Sequence, residues 1–282
     1  MLNRTGDEFE ISFFGSRKRQ ISDLESLQAL AARSEELLHL YIPKCDRELE
    51  KIRENDEALN VSLVQLKFRD VTYSFPYGHF LTFALLWETI ARNQYDFPSS
   101  LKGMTVVDAG ANIGVASIFA AALGAERIFA FEPCPQNFNL LKANLAANHL
   151  VGRVEAFPFA LGEVTSQGML GVSYSGSGCC SLALQNFWHR EQIPVEIRRL
   201  DDCVDGPVAF LKLDVEGYER EVLRGATRII SESRPTIAAA AYHYPDNAAH
   251  IEEAARLTVS QYRASCLSFA ENVVLLKIPG TP

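Results

Sequence analysis

The sequence lacks three features that would place it in a specialised class of protein. Its six cysteines show no C-x-x-C spacing, so we expect no structural zinc site, and a chain of 282 residues needs no disulfide framework. The longest apolar stretches, such as residues 113–123, reach only about half of a membrane span. Residues 1–20 contain no apolar core of a signal peptide. We therefore expect a soluble cytoplasmic protein that has no membrane partner.

Positive charge is also scarce. Lys and Arg together number 27 against 35 for Asp and Glu, which gives a formal net charge of −8. Binding to phosphate backbones usually requires a basic face, so we expect no nucleic-acid partner. The chain is 48% hydrophobic and 22% charged, and this ordinary globular composition excludes disordered and fibrous classes.

Beyond residue 103, short apolar strands alternate with amphipathic helices. Such alternation predicts an α/β fold with a parallel, doubly wound sheet. The last two apolar segments, 262–269 and 272–278, predict an antiparallel hairpin at one edge of this sheet. The other predicted strands are 105–109, 127–132, 153–160, 208–214 and 236–242, and the predicted helices are 113–123, 135–148, 218–231 and 247–259.

Residues 1–98 differ in pattern and are predicted to form a mainly helical N-terminal extension to a domain of residues 99–282. Segment 97–103 has the composition of a linker between the two. Phe13 and Phe14, with leucines of the first helix, indicate a homodimer contact. Within the extension, helices are predicted at 22–42, 46–59 and 78–93, and an extended segment at 61–75.

A glycine-rich turn follows the first strand of the predicted sheet. The strand ends in Asp108, the turn carries Gly110 and Gly114, and a helix then begins. Glycines let the backbone approach a ligand closely, and the helix N-terminus favours polar or anionic groups. Glu132 ends the next strand, where a carboxylate can accept both ribose hydroxyls of an adenosine. The segment therefore predicts a site for an adenosyl cofactor.

The turn favours S-adenosylmethionine over NAD. A dinucleotide fingerprint needs glycines at 110, 112 and 115, but this chain has Asn112 and Val115. Asp108 would repel a pyrophosphate, whereas it suits the cationic amino group of a methionine. An NAD-dependent oxidoreductase is the first alternative, and a non-catalytic scaffold that binds an adenosyl ligand is the second.

A second polar segment follows the strand predicted at 208–214. Strand alternation places Lys212, Asp214 and Glu216 on one face, and the two acids fall at the carboxyl end, where α/β sheets bind ligands. The cluster would orient a substrate hydroxyl, remove its proton or hold a metal; the alternative is a structural ion pair of Lys212 with the neighbouring acids. Glu219 is predicted to be a helix-start acid. His243, after the next strand, is either a base or a solvated side chain.

Together these motifs resemble the FkbM family of S-adenosylmethionine-dependent methyltransferases. The resemblance is carried by VVDAGANIGVAS with FEP downstream, by RLDD, and by LKLDVEGYEREVLRGA followed by a strand that ends in YH, and it covers residues 103–278. It implies a class I methyltransferase fold, a Rossmann-like sheet of seven strands with the last strand inserted antiparallel. It also implies O-methylation of a hydroxyl on a small molecule, sugar or natural product.

The resemblance also implies roles for single residues. The acceptor would face Asp214, Glu216 and His243, one of which would serve as the base, with Lys212 as an orienting charge. A divalent ion could acidify the hydroxyl instead, but the spacing of the acids does not require one, so no metal ligand is predicted. The implied cofactor contacts are Asp108, Gly110, Ala111, Asn112 and Gly114 for the methionine portion, Glu132 and Pro133 at the ribose, and Ala160 and Leu161 near the adenine.

Overall fold

The computed structural model describes residues 8–15, 18–21, 23–41, 61–75, 82–172, 180–183, 191–268 and 272–280. The predicted helix 46–59 lies outside these residues, as do the side chains of Phe13 and Phe14. None of the helices within the described ranges is long and apolar enough to cross a membrane.

The elements of the N-terminal part are β1 (Phe9–Gly15), β2 (Lys18–Ile21), α1 (Leu24–Tyr41), β3 (Val61–Phe68), β4 (Val71–Phe75), α2 (Thr82–Leu86) and a π-helical turn (Trp87–Ala91). Those of the remainder are β5 (Thr105–Ala109), α3 (Val115–Ala122), β6 (Arg127–Phe131), α4 (Pro135–Ala147), β7 (Val154–Phe157), β8 (Ala160–Leu161), β9 (Ser166–Val172), β10 (Glu191–Arg198), β11 (Phe210–Leu213), α5 (Glu219–Arg224), α6 (Thr227–Ser233), β12 (Thr236–Ala240), α7 (Asn247–Thr258), β13 (Arg263–Ser268) and β14 (Asn272–Lys277).

The central sheet has seven strands in the order β13-β14-β12-β11-β5-β6-β7. Neighbouring strands from β12 to β7 run parallel, whereas β14 runs antiparallel to both β12 and β13. The last strand is thus inserted between two others, which confirms the predicted class I methyltransferase topology. All four residues of β11 are buried, because helices cover both faces of the sheet.

The N-terminal extension contains more strand than we predicted. Four strands form an antiparallel sheet in the order β2-β1-β3-β4, so the described part of the extension combines helices with a sheet that we did not predict. Helix α1 confirms the periodicity of 22–42, and the extended segment 61–75 is the hairpin of β3 and β4. Strand β2 was missed because it has only four residues, and β1 was missed because its buried residues Phe9, Ile11 and Ser12 show no regular apolar alternation.

The extension packs directly on the central sheet. One continuous cluster of buried hydrophobic side chains includes Leu66 and Phe68 from β3 and also Val106 and Ile118 from the remainder of the chain. The rings of Phe68 and Phe119 meet edge to face, with centroids 5.4 Å apart. The side chains of α2 and of the π-helical turn are therefore held beside the central sheet.

A third sheet, also not predicted, has the order β8-β10-β9. Its parallel pairing of β8 with β10 fixes the segment that follows β7, and β9 lies antiparallel on the other side of β10. The short segment 180–183 bridges to β9 through Ser181 and Gly171. This sheet forms one flank of the cavity described below.

Candidate active site

A cavity of about 290 Å³ lies beyond the carboxyl ends of β5, β6 and β11. In open α/β sheets this edge is the place where ligands bind. Of the predicted cofactor contacts, Gly110, Ala111, Asn112, Glu132, Pro133, Ala160 and Leu161 line the cavity. Lys212, Asp214 and Glu216 line it from the other side. Asp108, Gly114 and His243 are not among the residues that line it.

The glycine turn brings two strand ends into close contact. Gly110 has φ +74°, and a Cβ at this position would lie 1.8 Å from the carbonyl oxygen of Asp214. Only glycine leaves room for this approach. Asn112 also adopts a left-handed conformation, with φ 51°, in the position where a dinucleotide fingerprint carries glycine. The turn therefore packs its backbone against the loop that carries Asp214.

Glu132 is held by the turn that it faces. One carboxylate oxygen accepts the backbone N–H of Asn112 at 2.8 Å, and the other accepts the N–H of Cys134 at 2.9 Å. The residue is 5% exposed, and burial raises the pKa of Glu132 to about 8, although these two N–H groups favour its ionised form. The same carboxylate lines the cavity, so it joins the glycine turn to the binding space.

The cavity wall fits the cofactor that the sequence implies. Asn112 and Asn137 both line the cavity, and each has a buried Oδ1 atom without a hydrogen-bond partner. Such carboxamide oxygens can accept hydrogen bonds from an ammonium or hydroxyl group. Phe159, Ala160 and Leu161 are all buried and supply an apolar wall of the kind that an adenine ring requires.

Lys212 is paired across the sheet and not with the acids on its own strand. The register of β11 against β5 places Lys212 opposite Asp108, and Nζ lies 2.9 Å from Asp108 Oδ1. Nζ also donates to the carbonyl of Gly110 at 2.6 Å, and Asp108 Oδ2 accepts the hydroxyl of Ser117 at 2.6 Å. Burial alone would lower the pKa of Lys212, but the charge of Asp108 raises it above its ordinary value. The expected pairing with Asp214 and Glu216 was wrong, since strand register decides the partner.

Asp214 faces the cavity and is held by two tyrosines. Tyr95 donates its hydroxyl to Oδ2 at 2.6 Å, and Tyr242 donates to Oδ1 at 3.3 Å. Tyr95 is 3% exposed and belongs to the segment just before residue 98, whereas Tyr242 follows β12. Both tyrosines also line the cavity, so residues from two distant parts of the chain fix the carboxylate of Asp214.

Glu216 and His243 form an ion pair at the edge of the cavity. His243 Nε2 lies 3.2 Å from Glu216 Oε2, and Nδ1 lies 3.5 Å from Glu219 Oε1. Burial alone would lower the pKa of His243, but Glu216, Glu219 and Asp214 together raise it to about 9. Burial raises the pKa of Glu216 despite the opposing effect of His243. Glu216 also has φ 57°, a strained conformation that is typical of functional positions.

Glu219 is the helix-start acid that the sequence predicts, since α5 begins at this residue, but it is buried inside the protein. Its side chain is 0% exposed, and its carboxylate accepts the backbone N–H groups of Val215 and Gly217 at 3.1 and 3.2 Å. The sequence did contain a signal for this burial, because Glu219 is spaced three and four residues from the buried Val222 and Leu223. Sequence reasoning also missed Tyr95 and Tyr242, for which no local pattern exists.

Comparisons with known proteins point to methyltransferases. The sequence model of the family described as "Methyltransferase FkbM domain" matches residues 108–263. Methyltransferase sdnD of Sordaria araneosa is 31% identical over 166 residues, which span 46% of this chain and 63% of that protein. The chain therefore corresponds to less than two thirds of that relative's length.

Solved methyltransferase structures are similar at lower identity. Methyltransferase FkbM from Methylobacillus flagellatus KT aligns over 70% of this chain and 54% of its own length, with 20% identity and a TM-score of 0.49. An rRNA methylase from Streptococcus thermophilus aligns over 66% and 95%, with 16% identity and a TM-score of 0.43. The family match covers more than half of the chain and includes both the glycine turn and the Asp214–Glu216 segment. The protein therefore belongs to the FkbM methyltransferase family.

Proposed function

We propose that this protein transfers the methyl group of S-adenosylmethionine to a hydroxyl group of a small molecule, sugar or natural product. The observation that carries the proposal is that one cavity is bordered by the glycine turn and Glu132 on one side and by Asp214 and Glu216 on the other. A donor and an acceptor can thus be held against each other in a single space.

The first half of the cavity would hold the cofactor. The backbone of Gly110 and Ala111 and the carboxamide of Asn112 would surround the methionine portion, and Glu132 would accept the ribose hydroxyls. When bound there, S-adenosylmethionine supplies a methyl group that its sulfonium has already activated. Asp108 would not contact the cofactor directly, because it does not line the cavity and its charge is neutralised by Lys212.

The second half of the cavity would bind the acceptor. A hydroxyl is a poor nucleophile until a base removes its proton. Asp214 already accepts two tyrosine hydroxyls, which fix its position and suit it to orient the acceptor. Glu216 faces the cavity, and burial raises its pKa, so we assign it as the group that takes the proton. His243, behind Glu216, would stabilise the carboxylate before the transfer.

The chain would also align the acceptor with the methyl donor and exclude water from the reaction. Methyl transfer requires the acceptor oxygen to lie in line with the reacting bond, and holding two reactants in such a geometry supplies much of the rate enhancement. Side chains of the extension, among them Glu88, Thr89 and Tyr95, line the cavity beside the acceptor half. The extension would therefore shape the acceptor site.

The experiment is a transfer assay with S-adenosylmethionine that carries a labelled methyl group. The acceptors are a panel of sugars, glycosides and hydroxylated aromatic compounds, and each is paired with its O-methylated analogue as a blocked control. We expect label in at least one hydroxyl compound and none in its blocked analogue. Asp214→Ala and Glu216→Ala should abolish transfer without loss of S-adenosylhomocysteine binding, whereas Glu253→Ala on the exposed side of α7 should be neutral. Turnover that survives both active-site substitutions would refute the assignment.

A further inference from the structure

Asp214, Glu216 and His243 lie close enough together to bind a single metal ion. One ligand atom from each residue can be chosen so that all three lie within 4.8 Å of one another. Bonds of about 2.1 Å from a central ion allow ligand separations up to about 4.2 Å, so shifts of less than about 1 Å would bring the three atoms around one ion. Two of the three residues, Asp214 and Glu216, line the cavity.

A second observation concerns the surroundings of the His243 imidazole. Its side chain is only 4% exposed, and both ring nitrogens are buried without a hydrogen bond. Buried polar atoms nearly always have hydrogen-bond partners in native structures, whereas these two nitrogens have only ion-pair contacts, with Glu216 and Glu219, and so retain capacity to bind an ion. Nε2 lies 3.2 Å from Oε2 of Glu216, in an ion pair that lacks hydrogen-bond geometry.

Glu219 stands behind the imidazole on the opposite side. Its Oε1 lies 3.5 Å from Nδ1, and its Oε2 accepts the side-chain N–H of Asn247 at 3.2 Å. Backbone N–H groups of Val215 and Gly217 hold the same carboxylate in place. Histidines that bind metals commonly present the other ring nitrogen to a carboxylate, which fixes the tautomer and directs the free nitrogen to the ion. Glu219 stands in that position.

The local balance of charge also favours a cation. Asp214, Glu216 and Glu219 bring three carboxylates around one imidazole. The nearby ammonium of Lys212 offsets them only in part, because it interacts more strongly with Asp108, at 2.9 Å, than with Asp214. A divalent ion between Asp214 and Glu216 would compensate this concentration of negative charge.

We propose that Asp214, Glu216 and His243 form a binding site for a divalent transition-metal ion, with Glu219 as the carboxylate that orients His243. The proposal rests on the proposed function and deepens it: the ion would bind the acceptor hydroxyl and lower its pKa, so that Glu216 or solvent can take the proton. Two oxygens and one imidazole nitrogen suit Mn²⁺ or Zn²⁺ better than Mg²⁺ or Ca²⁺, which prefer oxygen ligands alone.

The experiment is a titration of the metal-stripped full chain with Mn²⁺, followed by electron paramagnetic resonance of the free ion. We expect one site per chain, and His243→Ala and Glu219→Gln should each weaken binding by about 10- to 100-fold. His250→Ala, on the exposed face of α7, is the matched control and should leave binding unchanged. Zn²⁺ should displace Mn²⁺, whereas equimolar Mg²⁺ should not.

Three results would overturn the metal site. They are no bound Mn²⁺, binding that His243→Ala leaves intact, and equal displacement by Mg²⁺, which would indicate a site made of oxygens alone. If His243→Ala does not fold, as judged by thermal unfolding, Asp214→Asn replaces it and should weaken Mn²⁺ binding to a similar extent. Calorimetry with S-adenosylhomocysteine separates the two proposals: cofactor binding without Mn²⁺ binding removes only the metal site, and Mn²⁺ binding without cofactor binding removes the methyltransferase proposal.

Discussion

Two clusters of charged residues are centred on strand β11 and the loop after it, and their surroundings differ. Lys212 and Asp108 are 5% and 1% exposed at their side chains, and their charges neutralise each other at 2.9 Å. Two and four residues after Lys212, Asp214 and Glu216 face the cavity, and His243 behind them lies in ion-pair contact with Glu216 and Glu219. In the first group both charges are almost fully buried and paired with each other, whereas in the second the side chain of Glu216 is 21% exposed and lies on the cavity wall.

This difference separates a supporting role from a chemical one. Lys212 ties Asp108 to the carbonyl of Gly110 and so stabilises the turn that borders the cavity. Asp214 and Glu216 are kept where a substrate can reach them, at some cost in stability. Charge alone therefore does not mark a catalytic residue; the surroundings of each charge do.

The largest expected effect comes from removing one partner of the buried Lys212–Asp108 ion pair. Lys212→Met should lower the free energy of unfolding by about 3–5 kcal/mol, because it leaves the carboxylate of Asp108 buried without its partner. Glu216→Gln should lower the free energy of unfolding by less than Lys212→Met does, since the side chain of Glu216 is 21% exposed and Glu219 still lies beside His243 in the variant. Urea unfolding of both variants measures the contrast, and equal losses would contradict it.

The next effect concerns the contact between the glycine turn and the loop of Asp214. Gly110→Ala should destabilise the protein by about 1–3 kcal/mol more than Gly103→Ala, because an added Cβ would meet a carbonyl oxygen. Gly103 has the same φ of +74° but no atom within 4 Å of its added Cβ, so the pair of variants isolates the clash from the backbone strain. Equal unfolding energies in the two variants would show that the turn is not packed as described.

A smaller, pH-dependent effect should appear at Glu132. Burial raises the pKa of Glu132 to about 8, so the carboxylate that would accept ribose hydroxyls becomes populated as pH rises through that value. Affinity for 5′-methylthioadenosine, which lacks the titrating amino acid, should therefore increase by about tenfold between pH 7 and pH 9. Glu132→Gln should bind more weakly and without this pH dependence. A flat profile in the unsubstituted protein would remove Glu132 from the ribose site.

The smallest expected effect comes from an ion pair that is exposed to solvent. Arg127 and Glu155 form an ion pair at 3.0 Å, close to the separation of Lys212 and Asp108, but their side chains are 50% and 45% exposed. Glu155→Gln should lower the free energy of unfolding by less than about 1 kcal/mol, because solvent screens the interaction. A loss as large as that of Lys212→Met would mean that burial is not what distinguishes the two pairs.

The sequence was sufficient to predict the central sheet. Its strands are continuous apolar runs, the helices between them have clear periodicity, and the observed bounds of β5 equal the predicted ones, 105–109. The strands of the extension were harder, since β2 has only four residues and an antiparallel sheet with one solvated face shows a weaker pattern. The boundary at residue 98 stays a prediction.

The site was predicted only where its residues are local in sequence. The glycine turn and the Asp214–Glu216 segment each lie on one strand end, so motif spacing was enough to find them. The partner of Lys212 required the register of two strands, and the hydrogen bond from Tyr95 to Asp214 spans 119 positions. Such contacts exist only once the chain has folded, and no local pattern encodes them.

The central claim is that the cavity holds an adenosyl methyl donor beside Asp214 and Glu216. Calorimetric titration of the purified protein with S-adenosylhomocysteine, with NADH as the parallel ligand, tests it most directly. We predict micromolar binding of S-adenosylhomocysteine, no binding of NADH, and no loss of this affinity in Glu216→Gln. Binding of NADH alone would contradict the account and make the glycine turn a dinucleotide site.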